Sequence, residues 1–338
     1  MTASAAALSE RALPDALERL VVATRPGMGR VNDLILARAE SHVELVPEIA
    51  RYLIDAGGKR LRPMLTIAAA MLFGGGVGSE VNFAAAVEFM HNATLLHDDV
   101  VDESSMRRGR AAARMQWGNQ ASVLVRDFLL GQAFTMMVET GHLDALAVIA
   151  RAATVIAEGE VLQLAKTRDL TATRADYSAV IHAKTAMLFE AATEVGAMAG
   201  GADAAGRAAL RAFGTELGYA FQLVDDVLDY GGEAGRIGKN TGDDLREGKM
   251  TLPVILALED ASAEDREVIV AALGNSAAGP GELDRVRAIF ARYDTLGRTL
   301  VEAQRHAAAA RAALAPLPRS EMRELLGDVA DFTVARAY

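Results

Sequence analysis

Apolar residues recur along the chain with the spacing of α-helices. One stripe with i, i+3, i+4, i+7 spacing consists of Leu146, Ile149, Ala150, Ala153, Ile156 and Ala157. The following segment repeats this spacing with Val180, Met187, Leu188 and Ala191. Its start carries Thr173 and, three residues later, Asp176, which is typical of a helix N-cap. No alternating apolar pattern of convincing length is present, so a sheet is not expected.

Clusters of glycine and proline divide this pattern into roughly ten or more helices. The clusters are RPGMG (25–29), AGGKRLRP (56–63), FGGGVGS (73–79), YGGEAGRIGKNTGDD (230–244) and GNSAAGPGE (274–282). None of them is long enough to be a domain linker. Alanine, leucine and glutamate dominate and aromatic residues are scarce, which favours helix over strand. We therefore predict an all-α fold, a single large helical bundle over residues 31–338, preceded by a loosely ordered leader or first helix over residues 1–30.

Length, charge and cysteine content narrow the class of protein further. The chain has 338 residues, a net charge of -10 and no cysteine. A disulfide framework and cysteine metal sites are therefore excluded, and a reducing cytoplasm is the expected location. The acidic balance argues against general nucleic-acid binding. No apolar run reaches the ~18–20 residues needed to span a bilayer, so we expect a soluble protein without a transmembrane segment.

Two aspartate clusters end two strongly apolar helical segments, residues 81–102 and 204–230, which are apolar on most faces and are therefore expected in the centre of the bundle. Each cluster reads D-D-x-x-D, formed by Asp98, Asp99 and Asp102 in the first and by Asp225, Asp226 and Asp229 in the second. The first and last aspartates of each lie on one helix face, where without a cation they would raise each other's pKa. A single such motif is more often a solvated acidic turn. Two copies favour a shared Mg²⁺ site, completed by a diphosphate.

Basic residues accompany the clusters although the chain as a whole is acidic. They are Lys59 and Arg62 in GGKRLRP, Arg107 and Arg108 after the first cluster, Lys184 in an apolar helix, and Lys239 and Lys249 in or beside the glycine-rich loop. Arginine forks and lysine ammonium groups suit phosphate oxygens. We interpret Arg60 and Arg110 as ordinary solvated charges. Lys184 is either a phosphate ligand or a snorkelling side chain.

Together these motifs resemble the trans-isoprenyl diphosphate synthases, from about residue 30 to the C-terminus. GGKRLRP, HDDVVDESSMRRGR, KTAMLFEAA, FQLVDDVLDY and GKNTGDDLREGKMTLP occur in that family's order. Nearly the whole length also resembles the long-chain members, the octaprenyl to decaprenyl diphosphate synthases that make quinone side chains. The resemblance implies an isoprenoid synthase-like fold around a deep central cavity, a homodimer, and three Mg²⁺ ions per active site with substrate bound.

The resemblance also implies roles for individual residues. Asp98 and Asp102 would bind Mg²⁺ with Asp225 opposite, while Asp99, Asp226 and Asp229 would be nearby or water-mediated ligands. Positions that bind isopentenyl diphosphate in the family are matched by Lys59, Arg62, His91 and Arg108. Positions near the allylic diphosphate are matched by Arg107, Lys184, Thr185, Gln222, Lys239 and, at the same end, Lys249. One departure is Arg126, where similar proteins usually have glycine; its bulk would crowd helix packing or the cavity wall.

The reaction expected from these charges is a head-to-tail condensation. Mg²⁺, Arg107 and Lys184 would neutralise an allylic diphosphate as it ionises, and the alkene of isopentenyl diphosphate would attack the cation. We find no obvious protein base, and the departing diphosphate could take the proton. The product would contact a membrane only transiently on release.

The product channel is expected to run along the first aspartate helix, away from the cluster. Thr94 lies one turn before Asp98, Ala93 lies beside it, and Met90 and Val87 follow on roughly that face. Small residues at 93 and 94 favour a long product, C40–C50, with decaprenyl preferred. The channel floor is expected from Phe128, Phe134, Met136 or Met137.

Several alternatives stay open at this point. A class I terpene cyclase also ionises diphosphates, but its usual second motif, N/D-D-x-x-S/T-x-x-x-E, is absent from GDDLREGKM. A shorter-chain farnesyl or geranylgeranyl synthase would differ only in product length. A non-catalytic prenyl-lipid-binding partner subunit would typically lack one or both aspartate clusters. The pair His97-Asp98 is also found in HD-type phosphohydrolases, but that interpretation leaves the second cluster unexplained.

Overall fold

Helices dominate the residues that the computed structural model describes, 3–75, 78–231, 241–275 and 279–336, with side chains from residue 16 onward. The helices of the first half are α1 (Ala3–Arg38), α2 (Leu45–Asp55), α3 (Leu61–Met71), α4 (Ser79–Val101), α5 (Ala113–Glu139) and α6 (Leu143–Lys166). Those of the second half are α7 (Arg174–Ile181), α8 (Met187–Ala199), α9 (Ala204–Gly231), α10 (Asp243–Glu247), α11 (Leu252–Asp260), α12 (Ala263–Ala272), α13 (Pro280–Arg292), α14 (Thr295–Ala313) and α15 (Glu321–Ala335). The predicted all-α fold is confirmed.

Two short irregular elements interrupt the helices, and both lie beside the aspartate clusters. Strands β1 (Met106–Arg107) and β2 (Arg110–Ala111) form an antiparallel hairpin, the only sheet among the described residues. Between α7 and α8, a five-residue π-helical turn, the π segment (His182–Ala186), contains Lys184 and Thr185. Such wide turns insert one residue into a helix and occur often at functional sites.

α1 differs from the sequence prediction in where it ends and in how its apolar side chains pack. It runs without interruption through RPGMG, and it crosses residue 30, where we expected a loosely ordered segment to end. Its apolar positions Ala16, Leu20, Val31 and Ile35 are buried against the main core. A β-carbon on Gly27 would meet Ile67 Cγ2 at 2.8 Å, so this glycine permits close packing on α3 rather than ending the helix. Tertiary burial outweighs local propensity here.

The largest core surrounds α4 and joins α1 to α6, α8, α9 and α15. α4 buries residues on most of its faces, from Val81 to Leu96, as the sequence predicted for a central helix. α9 runs beside α8 and α14 and is buried along most of its length. The C-terminal ends of α4 and α9 carry the two aspartate clusters.

The structure tests two local predictions, the N-cap at Thr173 and the apolar stripe of α6. Thr173 caps α7 with a complete capping box, since its side chain and that of Asp176 exchange hydrogen bonds with each other's backbone N–H. In the predicted α6 stripe, Ile149 and Ile156 are buried as expected, but Ala157 is exposed. The buried face is rotated toward Gly159 and Glu160 because α6 packs closely on the π segment.

α5 departs from the expectation that no segment is apolar enough to span a bilayer. Among the described residues it is the one helix that passes a test of length and composition for a membrane span. One third of its most apolar window is buried inside the fold, and it packs against α2, α4 and α6. Its backbone is non-helical at Gly118. In this structure, α5 is a partly covered helix of the bundle.

Candidate active site

Both aspartate clusters line one cavity of about 410 Å³ between the ends of α4 and α9. This volume lies within the range of ~300–1,000 Å³ usual for small-molecule sites. The lining includes Asp98 and Asp102 from α4 and Asp225, Asp226 and Asp229 from α9. The first and last aspartates of each motif thus face the same space, as the helical spacing predicted.

Within the first cluster, the three carboxylates have different environments. Asp99 is fully buried and accepts a 2.7 Å hydrogen bond from Arg107 Nε, so it does not line the cavity. Asp102 Oδ2 accepts from Lys249 Nζ at 3.0 Å. Burial by itself favours the neutral form of Asp102, but the charges of Lys249 and Lys184 outweigh it and lower its pKa. Asp98 Oδ1 is buried and accepts no hydrogen bond; Lys184 Nζ lies 3.8 Å from it.

In the second cluster, Asp225 forms an ion pair and Asp226 is buried in a hydrogen-bond network. Asp225 Oδ1 accepts from Arg336 Nη2 at 2.8 Å. Asp226 accepts from the Tyr177 hydroxyl and from Gln222 Nε2, both at 2.7 Å. Burial, and then the charge of Asp244, raise the pKa of Asp226 to about 8. Asp226 therefore binds a proton more readily than an ordinary aspartate does.

The hairpin after α4 positions the two arginines that follow the first cluster. Its turn residues Arg108 and Gly109 both have positive φ, 52° and 75°, as a tight two-residue hairpin requires. Arg107 turns back onto Asp99, and Arg108 Nη1 donates to the backbone carbonyl of Gly57. Arg107 and Arg108 both line the cavity. The pairing of β1 with β2 thus places Arg107 and Arg108 at the same cavity as the aspartates.

Arg62, His91 and Arg108 lie together on one side of the cavity wall. The Arg62 guanidinium stacks 4.3 Å from the centre of the Phe189 ring, and burial lowers its pKa to about 10. Burial and the nearby arginines, Arg62 first among them, lower the pKa of His91 well below its usual value. His91 is therefore neutral at physiological pH and able to donate or accept a hydrogen bond.

The loop GGKRLRP differs from the sequence interpretation in two respects. Lys59 has an exposed side chain and is not part of the cavity lining. Partial loss of solvation around its ammonium group and the charge of Arg336 lower its pKa. Arg60, interpreted as a solvated charge, is instead mostly buried and donates to Glu88 Oε1 at 2.5 Å and to the Ile54 carbonyl. The ion pair between Arg60 and Glu88 fastens this loop to the middle of α4.

Most of the predicted allylic-side residues also line the cavity, through contacts from the π segment, α9 and the segment before α11. Lys184 Nζ donates to Glu160 Oε2 at 2.9 Å, and Thr185 Oγ1 donates to Gln222 Oε1 at 2.7 Å. Lys184, Thr185, Gln222 and Lys249 all line the cavity. Lys249 also forms ion pairs with Asp244 and Glu247, which raise its pKa well above the usual value despite its burial. Lys239 lies outside the described residues.

The proposed chain-length positions fall at different depths. Thr94 lines the cavity and donates to the His91 carbonyl at 2.7 Å. Ala93, Met90 and Val87 are packed in the main core and do not line it. The same is true of the proposed floor residues, which lie buried or partly buried in that core: Phe128, Phe134, Met136 and Met137.

Arg126 and His97, two residues that drew attention in the sequence, both lie away from the cavity lining. Arg126 is half-buried on α5 and pairs with its neighbour Asp127 at 2.8 Å, so the expected crowding of the cavity wall does not occur. His97 is half-buried. Among the described residues, no group of three or more His, Asp and Glu side chains could hold a metal ion, so the metal site of an HD-type phosphohydrolase is not present there.

Other residues at the site carried no clear sequence signal. Tyr177, Asp176, Gln163 and Lys166 line the cavity, and Glu160 and Arg336 contact residues that do. They come from α6, α7 and α15, at positions far from both D-D-x-x-D motifs in sequence. Only Asp244, in the quoted GKNTGDDLREGK stretch, could have been selected as an additional acidic residue.

The donor set at the cavity suits an oxygen-liganded divalent cation. Its carboxylates include Asp98, whose Oδ1 atom accepts no hydrogen bond, and thiolate ligands are absent because the chain has no cysteine. Carboxylate oxygen is the ligand that Mg²⁺ and Ca²⁺ prefer. Because no three acidic or histidine side chains converge among the described residues, ligands from bound phosphates would be needed to complete the coordination.

Comparisons with known proteins agree with this geometry. A sequence profile for the polyprenyl synthetase family matches residues 43–290. The chain belongs to that family. As a member of the polyprenyl synthetases it is a prenyltransferase, and the resemblance stated from its motifs is confirmed.

Similar members of the family are known as sequences and as structures. This polyprenyl synthetase is 43% identical to the octaprenyl diphosphate synthase of Escherichia coli (strain K12), over 95% of this chain and 99% of that protein. The polyprenyl synthase from Caulobacter crescentus CB15, complexed with calcium and isoprenyl diphosphate, is 49% identical, with a TM-score of 0.92 and coverage of 95% and 98%. A decaprenyl diphosphate synthase from Rhodobacter capsulatus is 47% identical, with a TM-score of 0.90 and coverage of 95% and 99%.

Proposed function

We propose that this polyprenyl synthetase condenses isopentenyl diphosphate head-to-tail with an allylic diphosphate to give a long-chain all-trans polyprenyl diphosphate. The product is C40–C50, with decaprenyl favoured, and serves as a quinone side chain. The single observation that carries the proposal is one cavity lined both by the two aspartate clusters and by the cations Arg62, Arg107, Arg108, Lys184 and Lys249. Two anionic substrates that must react side by side need this arrangement.

The protein's own residues would bind one diphosphate on each side of the aspartates. Arg62, His91 and Arg108 would hold isopentenyl diphosphate, with Lys59 approaching from its exposed position on the same loop. The allylic diphosphate would be surrounded by Arg107, Lys184, Thr185, Gln222, Lys239 and Lys249. Neutral His91 would contribute a hydrogen bond without adding to the charge. Leu188, Phe221 and Val180 would shield the ionised allyl group from water.

Mg²⁺ is the proposed cofactor, bound by Asp98, Asp102 and Asp225, with Asp99, Asp226 and Asp229 in supporting positions. When bound, it would neutralise the charge that develops on the departing diphosphate. Arg107 and Lys184 would share that task through preorganised charge-assisted hydrogen bonds. Three ions per site is the number expected for this family.

The proposed product length rests on the cavity wall and on the relatives. Thr94 is small and faces the cavity, and α4 extends about 28 Å from Asp98 back to Ser79 through apolar surroundings. Two similar proteins are named as octaprenyl and decaprenyl diphosphate synthases. Ala93, Met90 and Val87 would border the growing chain once it extends past Thr94.

We propose a homodimer with its contact on α5 and α6. These neighbouring helices expose large apolar side chains, of which Leu124 and Val161 are 69% and 67% accessible. A second copy of the chain would remove these side chains from water. A cytoplasmic location is proposed from the absence of cysteine, with membrane contact only when product is released.

The reaction is tested by incubating the full chain with labelled isopentenyl diphosphate, farnesyl diphosphate as primer, and Mg²⁺. Dephosphorylated products are then sized by chromatography. A ladder ending at C40–C50 is expected. A product ending at C20 would instead identify a geranylgeranyl synthase, and a chain that leaves farnesyl diphosphate unextended but makes a C15 product from geranyl diphosphate would be a farnesyl synthase. A cyclic hydrocarbon formed from farnesyl diphosphate alone would identify a terpene cyclase. Substrate binding without turnover would identify a non-catalytic partner subunit.

A further inference from the structure

Lys184 is held between two carboxylates that lie on different helices. Its Nζ atom is 2.9 Å from Glu160 Oε2 on α6 and 3.8 Å from Asp98 Oδ1 on α4. Only the shorter contact is a hydrogen bond, and the longer one is an ion pair without a hydrogen bond. The ammonium group is therefore bonded to Glu160, and Asp98 Oδ1 is left without a hydrogen-bond donor.

Glu160 is positioned behind Lys184 as seen from the cavity. Its side chain is 8% exposed and does not line the cavity, whereas Lys184 does. Its other oxygen, Oε1, is buried and has no hydrogen-bond partner. Burial, and then the charge of Asp98, raise the pKa of Glu160 to about 7. A buried carboxylate in this place is costly unless a cation compensates it, and Lys184 is that cation.

The residue before Glu160 brings the two helices close enough for this bond. A β-carbon on Gly159 would lie 2.5 Å from Ala183 Cβ and 3.2 Å from the backbone nitrogen of Lys184. Only glycine at this position lets the π segment rest directly on α6. The wide turn of the π segment and the absence of a side chain at Gly159 thus determine the distance between Lys184 and Glu160.

We propose that Gly159 and Glu160 form a positioning pair that holds Lys184 away from Asp98. The pair leaves one Asp98 oxygen open for a divalent cation and keeps the ammonium directed at the allylic diphosphate. This inference rests on the proposed function. Glu160 touches neither substrate nor metal in it and acts only through Lys184.

Glu160→Ala is the first test, with Glu158→Gln as control because Glu158 is an exposed carboxylate on the same helix. Without Glu160, Lys184 can close onto Asp98 and neutralise it. We expect kcat to fall about 100-fold, as for a misplaced catalytic group, with the KM for isopentenyl diphosphate unchanged. Glu160→Asp should recover most of the loss and Glu160→Gln only part of it.

A binding measurement separates positioning from a loss of folding or of chemistry. Calorimetric titration with an allylic thiodiphosphate, which does not ionise, is performed at a series of Mg²⁺ concentrations. We expect Glu160→Ala to weaken the Mg²⁺-dependent binding about tenfold, the effect of one lost charge-assisted contact. Gly159→Ala should act in the same direction, while Gly131→Ala on α5, where an added β-carbon meets nothing within 4 Å, should not.

A double-mutant cycle tests whether Glu160 affects kcat through Lys184. If Glu160 acts through Lys184, then Glu160→Ala in a Lys184→Ala background adds no further loss of kcat. Additive losses, or a Glu160→Ala enzyme that behaves like Glu158→Gln, would overturn the inference. A wild-type chain without synthase activity would instead overturn the proposed function, so the two failures are distinguishable.

Discussion

Arg336, the last residue that the structure describes, donates from Nη2 to Asp225 Oδ1 at 2.8 Å. The same guanidinium stacks 4.1 Å from the centre of the Phe221 ring and donates to the Phe221 carbonyl. The end of α15 is thereby tied to the second aspartate cluster. A cation that binds Asp225 must compete with this arginine.

Removing Arg336 should therefore make metal binding easier. Asp225 is 41% exposed, so the ion pair contributes at most about 1 kcal/mol. We expect Arg336→Ala to lower the Mg²⁺ concentration for half-maximal rate by up to about fivefold. Arg319→Ala, an exposed arginine before α15, is the control. A higher Mg²⁺ requirement in Arg336→Ala would mean that the arginine assists binding instead of opposing it.

Loss of either facing aspartate should abolish turnover. Asp98 and Asp225 line the cavity from α4 and α9, and loss of either would remove one of the proposed metal ligands at that helix end. We expect Asp98→Ala and Asp225→Ala each to lower kcat by at least about 10²–10³-fold. Circular dichroism should show an unchanged helix content. Asp284→Ala, at an exposed position of α13, should leave kcat as in the wild type.

A phenylalanine at position 94 should shorten the product, whereas one at position 93 should chiefly destabilise the fold. Thr94 faces the cavity, while Ala93 is 2% exposed and packed in the core. Overpacking a core position costs about 1–3 kcal/mol. We expect Thr94→Phe to give shorter chains with little change in melting temperature, and Ala93→Phe to lower it. Unchanged product length in Thr94→Phe would mean that the chain grows in another direction.

His91 should make stability depend on pH in a defined window. Its pKa is lowered in the folded state, so the unfolded chain takes up a proton first as the pH falls below about 6.5. His91 therefore contributes a loss of stability with decreasing pH there, by up to about 1.4 kcal/mol per pH unit, while Glu160 and Asp226, whose pKa values are raised, contribute with the opposite sign. His91→Gln should remove this slope in urea unfolding between pH 7.5 and 5.5. His142→Gln, at an exposed histidine, should retain it.

A charge on the exposed apolar surface of α5 should disrupt the proposed homodimer. Leu124 is 69% exposed on this helix. We expect Leu124→Arg to shift sedimentation from dimer to monomer because a buried arginine without a partner is costly. Val301→Arg, at a 64% exposed valine on α14, is the matched control. Wild-type protein that sediments as a monomer would rule out this interface.

Sequence patterns were sufficient wherever the relevant interaction is local. The i, i+4 spacing of Asp98 and Asp102 determines that both point the same way, and the capping box of Thr173 and Asp176 spans a single turn. Periodicity was likewise enough to predict an all-helical fold with α4 at its centre. Interactions within one or two turns depend on residues that are adjacent in the sequence, so their pattern can be seen there.

Local sequence patterns gave wrong predictions where packing between distant helices determines the structure. RPGMG contains a proline and two glycines, yet α1 continues through it because its apolar side chains are buried against the core. Arg60 looked like one more surface cation, but the fold brings it to the buried carboxylate of Glu88. Arg126 was expected to obstruct the cavity wall, but it does not line the cavity and pairs with Asp127 instead.

The sequence by itself determined the helical class, the two acidic helix ends and the set of cations around them, because each of these follows from the type and spacing of nearby residues. Only the tertiary structure decided which cation meets which carboxylate: Lys184 with Glu160, Lys249 with Asp102, and Arg336 with Asp225. The physical reason is that the two residues of each pair are 24 to 147 positions apart in the chain and belong to different segments of the fold. Their distances are set by how closely the helices pack, at points such as Gly159, and not by any repeat in the chain.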